Sequence, residues 1–259
     1  MRVPVVQHRG RRRRALGRRA LWTGGEFLVT AGVVLLLLVV HELWWTNREA
    51  RQGAEHQVQA LERQWATPGA GSGDTPSANS GLVGGSSPRR GTAAGGSTDP
   101  TGSATAPRRS QAYAVLTIPR LHLRVPIAEG VSKRNVLNKG YVGHYPGTQQ
   151  PGQAGNFALA GHRNTHGEPF RYLPRLRLKD TVEVETSAAT YTYTVDKILP
   201  QTSASDSGVI RPVPRSIVKP SYGFSRPGYY VTLTTCTPEY TSRYRMVVWG
   251  TLTSTRPRT

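Results

Sequence analysis

Cysteine, methionine and phenylalanine are scarce in this chain of 259 residues, which holds one, two and four of them respectively. Because Cys236 is the sole cysteine, internal disulfides are excluded, and its thiol is left for packing, metal binding or chemistry. Large apolar side chains are almost absent between residues 66 and 109. That stretch cannot bury enough apolar surface to offset its ordering entropy, so it cannot form a core of its own.

Acidic residues are also few, since 15 of them stand against 34 lysines and arginines, for a formal net charge of +19. Eight arginines and no acidic residue fall within the first 20 positions. Residues 111–259 contain 19 basic and 8 acidic residues, an excess of 11 positive charges. They lack an arginine-rich helix, a zinc-ligand pattern or a basic and aromatic strand pair. We therefore expect no nucleic-acid partner and favour anionic wall polymers or lipids.

An apolar segment follows the arginine cluster. Residues 27–45 are nearly all apolar, and the run at 33–40 is unbroken. At about 1.5 Å per residue, a helix of this length approaches the roughly 30 Å of a bilayer's hydrocarbon core. We predict one transmembrane helix at 25–45 that anchors the chain in the cell membrane. The arginines predict a basic cytoplasmic tail at 1–24 and an extracellular remainder. The alternative is a cleavable signal peptide, which the bulky ending His-Glu-Leu-Trp-Trp disfavours.

Residues 46–110 are predicted to form a flexible extracellular linker, a disordered stalk between membrane and folded domain. The first part is polar and charged, with Val58, Leu61 and Trp65 at near-helical spacing, which suits a short helix. The rest is built from glycine, serine, threonine, alanine and proline, a composition typical of flexible chain.

From residue 111 the pattern changes to short apolar and β-branched runs separated by turn residues. Strands are predicted at 114–118, 123–127, 156–160, 181–186, 190–198, 229–236 and 244–252. Residues 187–189 are predicted to form a hairpin turn, and two short helical turns are expected near 131–139 and 170–176. Residues 199–225 are predicted to form a long connection between strands. Many short strands with little helix favour an all-β barrel or sandwich with a single core.

Three side chains are candidates for chemistry. Cys236 ends a β-branched and aromatic run just before Pro238, and His162 follows a predicted strand, so both stand at strand ends. Arg245 opens the last predicted strand. A cysteine attacks as the thiolate, which a nearby imidazolium or guanidinium stabilises, and a cationic donor can also stabilise an oxyanion. Spacing alone does not bring these groups together, and a buried packing cysteine is the alternative.

Several separated motifs carry a family resemblance. They are Thr-Leu-Thr-Thr-Cys-Thr-Pro at 232–238, Ala-Gly-His-Arg at 160–163, Ile-Pro-Arg-Leu at 118–121, Gly-His-Tyr-Pro-Gly-Thr at 143–148, Pro-Gly at 151–152 and Gly-Asn-Phe at 155–157. Together with Arg245, the set resembles the sortases, cysteine transpeptidases of Gram-positive surfaces, over about residues 113–252. The sequence Gly-His-Arg-Asn-Thr-His-Gly-Glu-Pro-Phe at 161–170 is most similar to class E, the housekeeping type of actinobacteria, with class D as the near alternative.

The resemblance implies an eight-stranded β-barrel that forms a catalytic domain at 111–259 and needs no cofactor. It implies that Cys236 attacks the threonine carbonyl of a C-terminal sorting motif, of the Leu-Ala-x-Thr-Gly kind, on secreted proteins. By the same resemblance His162 is the acid and base, and Arg245 holds the substrate and its oxyanion. Arg243, two residues earlier, is the alternative arginine. The acyl group is then expected to pass to an amine of a peptidoglycan precursor.

Two residues are expected to bind substrate. The class E resemblance suggests that the hydroxyl of Tyr145 selects the residue after leucine, and Thr235 adjoins the nucleophile; packing is the alternative for both. His144 and His166 could ligate a metal with His162, but without a carboxylate cluster we predict no metal site. The competing functions are a class D or pilus-polymerising sortase and a non-catalytic module that binds wall polymer.

Overall fold

The computed structural model describes residues 9–66 and 107–258. One helix, α1, spans Arg9–Ala66. The strands are β1 (Ala112–Ile118), β2 (Leu123–Glu129), β3 (Val142–His144), β4 (Gly155–Ala160), β5 (Thr181–Thr186), β6 (Ala189–Ser203), β7 (Tyr229–Thr237) and β8 (Tyr244–Pro257). The predicted linker residues 67–106 and the first eight residues of the predicted cytoplasmic tail lie outside the described residues.

The eight strands close into a barrel in the order β1-β2-β3-β4-β7-β8-β6-β5. Two pairs are parallel, β2 with β3 and β4 with β7, and the remaining pairs are antiparallel. Closure leaves no free edge along the sheet, so every strand is paired on both sides. The predicted all-β, eight-stranded barrel is confirmed.

Seven of the strands correspond to segments that the residue pattern predicts. The hairpin between β5 and β6 is also present, with Glu185 paired to Thr190. The eighth strand, β3, has only three residues and includes a glycine, so it shows no alternation that a sequence pattern could reveal. The two predicted helical turns are single 3₁₀ turns, Leu137–Lys139 and Leu173–Arg175.

Alternate residues of the strands fill the barrel. The main interior cluster includes Leu116 of β1, Val184 of β5, Leu233 of β7 and Val248 of β8, each at most 1% exposed. Because side chains alternate across a strand, residues one position away point outward. A residue an even number of positions from Leu233 on β7, or from Val248 on β8, therefore points into the barrel, and one at an odd separation points outward.

The outer face of β6 and β8 is covered by the long connection between β6 and β7. A second cluster lies there, formed by Leu199, Val209, Val247 and Trp249. The indole Nε1 of Trp249 donates to the carbonyl of Val209 at 3.0 Å, which satisfies the polar end of a buried ring. β6 continues to Ser203, so this long connection begins after residue 203 and not at residue 199, as the sequence pattern predicts.

The helix α1 has two halves of different character. The part Gly24–Ala66 contains a segment long and apolar enough to cross a membrane, and none of that segment is buried against the protein. Large apolar side chains there, such as Leu35 and Leu36, are more than 60% exposed. This half is the candidate membrane span that the sequence predicts at 25–45.

The second half of α1 packs on the barrel. Its buried residues are Ala50, Ala54, Val58 and Leu61, which recur at helical spacing, and Val58 and Leu61 contact Val115 on the outer face of β1. The structure therefore differs from a flexible linker that begins at residue 46. Composition does not reveal this docked helix, because half of its buried stripe is alanine. Packing on the barrel removes the stripe from water, which stabilises the docked helix.

Candidate active site

Strands β4, β7 and β8 are neighbours, and their register brings the candidate residues to one end of the barrel. β4 and β7 run parallel, with Ala160 opposite Thr234. β7 and β8 run antiparallel, with Cys236 directly opposite Arg245. His162 lies two positions beyond Ala160, just as Cys236 lies two positions beyond Thr234. We call this end of β4, β7 and β8, with the loop at residues 161–170, the rim.

Cys236 and Arg245 point to the outer face of the barrel. Leu233 and Val248 are cross-strand partners whose side chains point into the barrel. Cys236 lies three positions after Leu233 on β7, and because successive side chains alternate between the two faces of a strand, Cys236 and its partner Arg245 point outward. Residues directly opposite each other share a face, with Cβ atoms roughly 5 Å apart. Cys236 is half-buried, so its thiol is reachable from outside while its strand stays in the rigid ladder.

His162 is held by its backbone and by its ring. The Gly161 amide donates to the Thr234 carbonyl at 3.1 Å, which continues the pairing of β4 with β7, and the His162 carbonyl accepts from the Phe170 amide at 2.9 Å. The ring Nε2 lies 2.9 Å from Oδ1 of Asn138. Since that oxygen accepts, Nε2 carries the hydrogen, and Nδ1 is the basic nitrogen of the neutral ring.

Burial controls the protonation of this imidazole. Desolvation lowers the pKa of His162 to about 4, and the charges of His166 and Lys133 act in the same direction. The rings of His162 and His166 are stacked with centroids 5.4 Å apart. At neutral pH His162 is therefore uncharged and can accept a proton from a thiol or an amine.

The Arg245 guanidinium is tied to the start of its own strand. One terminal nitrogen donates to the carbonyls of Ser242 at 2.8 Å and Tyr244 at 2.9 Å. Arg243, the alternative arginine, lies before β8 begins, is exposed, and stacks its guanidinium over the Tyr244 ring. The cross-strand position opposite Cys236 thus belongs to Arg245.

The two predicted substrate-binding residues have different surroundings. The Tyr145 hydroxyl lies 3.1 Å from the hydroxyl of Thr234, which shares the outer face with Cys236 two positions away. Thr235 is 2% exposed on the opposite face, and its hydroxyl donates to the Gly161 carbonyl at 2.9 Å. The structure brings Tyr145 to the face of the thiol, whereas Thr235 supports the turn before His162.

Two residues that contact the candidate site were not predicted from the sequence. Asn138, which bonds His162, lies 24 positions away in a turn with no distinctive motif, so the sequence offered no signal. Arg163 belongs to the Ala-Gly-His-Arg motif, which by itself indicates no role for this side chain. Its guanidinium donates to the Cys236 carbonyl at 3.2 Å and to the Thr237 hydroxyl at 3.0 Å, joining the His162 loop to the end of β7.

Comparison with known proteins agrees with this arrangement. A family model described as the sortase domain matches residues 116–253. The chain belongs to the sortase family. It is 43% identical to Sortase SrtE1 of Streptomyces coelicolor over 239 residues, covering 90% of this chain but 57% of SrtE1. It is 34% identical to Sortase SrtE2 of the same organism, covering 95% of this chain and 88% of SrtE2.

Solved sortase structures show the same likeness. The crystal structure of Sortase E1 from Streptomyces coelicolor with a tripeptide in the active site matches with 51% identity and a TM-score of 0.55, covering 59% of this chain and 94% of that one. Sortase E from Streptomyces avermitilis matches with 40% identity and a TM-score of 0.51, covering 58% and 93%. The relatives make this sortase class E-like.

The other histidine considered as a metal ligand has a structural role in this sortase. His144 is 1% exposed; its Nδ1 lies 2.7 Å from Glu129, and its Nε2 lies 2.9 Å from the Thr148 hydroxyl. Both ring nitrogens are thus engaged inside the protein. Within residues 9–66 and 107–258, three or more metal-ligating side chains do not gather into a candidate site.

Proposed function

We propose that this sortase is a membrane-anchored cysteine transpeptidase of class E. It would cleave secreted proteins at a C-terminal motif of the Leu-Ala-x-Thr-Gly kind and join the threonine to a peptidoglycan-precursor amine. The observation that carries the proposal is the cross-strand pairing of Cys236 with Arg245, level with His162, which lies two residues past the end of the adjacent strand β4. This arrangement offers a nucleophile, a cation and a base at one half-exposed rim.

In the first half-reaction, Nδ1 of His162 accepts the thiol proton, and the sulfur of Cys236 attacks the carbonyl carbon of threonine. The carbonyl oxygen becomes an oxyanion, which the guanidinium of Arg245 stabilises. As the oxyanion collapses, the bond to the glycine nitrogen breaks, and the imidazolium returns its proton to that amine. The product is a thioester between Cys236 and threonine.

In the second half-reaction, the incoming amine attacks the thioester while His162 takes its proton. The carbon–sulfur bond breaks, a new amide forms, and the proton returns to the sulfur of Cys236. Both steps require a base that is neutral at rest, and burial keeps His162 neutral by holding its pKa below neutral pH.

The proposed location follows from the same chain. The apolar half of α1 would cross the cell membrane once, with the arginine-rich N-terminus in the cytoplasm and the barrel outside. This places the rim where secreted proteins emerge and where lipid-linked wall precursors are held. We further propose that Tyr145 contacts the second residue of the sorting motif, since its hydroxyl lies on the face of the thiol.

The test uses the 259-residue chain in detergent micelles with two peptides, Leu-Ala-x-Thr-Gly and Leu-Pro-x-Thr-Gly, and triglycine as the amine. Mass spectrometry is expected to find cleavage between threonine and glycine, with the new threonine–triglycine amide, and preference for the alanine peptide. A Cys236→Ala variant should give neither product. Product formed by that variant would refute the function. A preference for the proline peptide would instead contradict the proposed Leu-Ala-x-Thr-Gly motif, while the proposed transpeptidase activity would stand.

A further inference from the structure

The helix α1 continues without a break from its apolar half into its docked half, so the first docked residues follow directly after the candidate membrane span. We call residues 47–51 the docking turn. Ala50 on this turn is buried against the barrel, and the stripe continues away from it through Ala54. The docking turn is therefore packed on the surface of the barrel.

The docking turn binds the loop that carries His162. Asn47 donates from its amide nitrogen to Glu168 at 3.1 Å and accepts from the Gly167 amide at 3.2 Å. Arg51 donates to the Gly167 carbonyl at 3.1 Å and to the second carboxylate oxygen of Glu168 at 2.9 Å. Charge-assisted bonds of this kind are stronger than neutral ones, and here the carboxylate is 4% exposed.

That loop has a backbone that needs support. His166, Gly167 and Glu168 have φ values of +52°, +82° and +54°, three successive residues in the left-handed region. Residues other than glycine adopt this region at an energetic cost, and such strain persists only where the surroundings hold it. Besides the docking turn, Arg171 also binds the Glu168 carboxylate, at 2.7 Å.

The docking turn also touches the second support of His162. A Cβ added to Gly140 would lie 2.7 Å from the Ala50 carbonyl oxygen, and Gly140 has a φ of +79°. The helix backbone and this turn are thus in direct contact, which only glycine permits. Asn138, whose side chain bonds the His162 ring, lies two residues earlier in the same turn.

We propose that the docking turn of α1 is a positioning element for His162, acting through Glu168 and Gly167 on one side and through Gly140 and Asn138 on the other. This rests on the proposed function, because it assigns the role to the base of that reaction. One helical turn touches both structures that fix the imidazole. The proposed membrane anchor of the sortase and the turn that aligns its catalytic base are then parts of one continuous helix.

The experiment compares two ion pairs that α1 makes with the barrel. Arg51 pairs with Glu168 at the rim, whereas Glu62 pairs with Arg124 on β2, away from it. Arg51→Ala is expected to lower kcat for the Leu-Ala-x-Thr-Gly peptide about tenfold through misplacement of His162, with little change in KM. Glu62→Ala should stay within about twofold of the parent, because that pair lies outside the docking turn.

Two further readouts separate positioning from general stability. Hydrogen exchange followed by mass spectrometry should speed up at residues 161–170 in Arg51→Ala and not in Glu62→Ala, while both keep the parent's melting temperature within a few degrees. In a double-mutant cycle, Arg51→Ala and Glu168→Gln together should cost less kcat than the two single changes would if they were additive, since both remove the contact between Arg51 and Glu168.

Equal activity of Arg51→Ala and Glu62→Ala, or unchanged exchange at 161–170, would overturn the inference and leave the transpeptidase untouched. Absence of transpeptidation by the unmodified protein would instead refute the proposed function. In that case the exchange experiment still decides whether the docking turn holds the His162 loop.

Discussion

The interior of the barrel and its rim differ in how far their buried polar groups are satisfied: among the described residues, three of the four with an unpaired buried side-chain atom lie at the rim, and the fourth is Tyr113 on β1. Inside, Tyr193 is 1% exposed, and its hydroxyl accepts a hydrogen bond from the Gly152 amide at 2.9 Å. At the rim, one buried side-chain atom in each of Arg163, Asn164 and His166 lacks a hydrogen-bond partner within the described protein. An unpaired buried polar atom costs free energy, so the rim is less stable locally than the interior. The proposed chemistry is thus located away from the best-satisfied part of the same strands.

The sharpest test of this separation is His162→Gln. Loss of the acid and base is expected to lower kcat/KM about 10² to 10⁴-fold, while the melting temperature changes little, because the ring is half-exposed at the rim. Peptide turnover and thermal unfolding of one preparation provide both values. His122→Gln, at an exposed site, is the matched control and should retain full activity. A fall of less than tenfold in the His162 variant would break the comparison.

Arg245→Ala should have the next largest effect. Removing a donor to the oxyanion is expected to lower kcat about 10² to 10³-fold, and Arg245→Lys should recover only part of it, because lysine lacks the planar fork. Arg243→Ala should remain within about twofold, since that side chain is exposed and lies before β8. Similar losses at both arginines, measured by peptide turnover, would remove the distinction between them.

An interior substitution should give the converse pattern. Leu233→Ala leaves a cavity in the main cluster and is expected to lower the free energy of unfolding by about 2 to 5 kcal/mol, measured by urea titration. At low temperature, where the variant stays folded, its kcat should remain near that of the parent. Leu178→Ala, which is 58% exposed, is the control and should change stability by less than about 0.5 kcal/mol.

Much of the interior could be predicted from the sequence, because strands such as β5 alternate apolar and polar residues with the period of a half-buried sheet. The lone Cys236 and the motif around His162 likewise identified the rim. The register that places Cys236 opposite Arg245 depends on long-range pairing, which one strand's pattern does not contain. Asn138 could not be predicted, since only the folded turn brings it to His162.

The docked half of α1 was the largest difference from the sequence prediction. Its buried stripe begins with Ala50 and Ala54, which are as compatible with an exposed helix as with a buried one. The partners that hold it, Gly167 and Glu168, lie more than 100 residues away in the chain. Neither hydrophobic periodicity nor composition could therefore reveal that this segment supports the rim.

The pH dependence of stability should come from the rim rather than the interior. Because burial lowers the pKa of His162 from 6.5 to about 4, the unfolded chain binds more protons than the folded chain between those pH values. Stability should therefore fall as pH decreases from about 6.5 to 4. His166, whose pKa burial also lowers, adds to the same slope. In His162→Gln the decrease, followed by urea titration at each pH, should be smaller; an unchanged slope would contradict this assignment.

The smallest expected effects come from two hydroxyls on opposite faces of β7. Tyr145 bonds Thr234 on the outer face, and Thr235 bonds the Gly161 carbonyl on the inner one. A single neutral hydrogen bond contributes about 0.5 to 1.5 kcal/mol, so each effect should be about 2- to 10-fold in an equilibrium or rate.

Tyr145→Phe is expected to change the ratio of kcat/KM for the Leu-Ala-x-Thr-Gly and Leu-Pro-x-Thr-Gly peptides without moving the melting temperature, since its hydroxyl lies on the face that carries Cys236. Thr235→Val is expected to lower the melting temperature by a few degrees and leave that ratio alone, because the buried Gly161 carbonyl loses its donor. Competition between the two peptides in one reaction measures the ratio directly. If Thr235→Val altered the preference and Tyr145→Phe did not, the assignment of faces on β7 would be reversed, and Thr235 would line the substrate site as its position beside Cys236 first suggested.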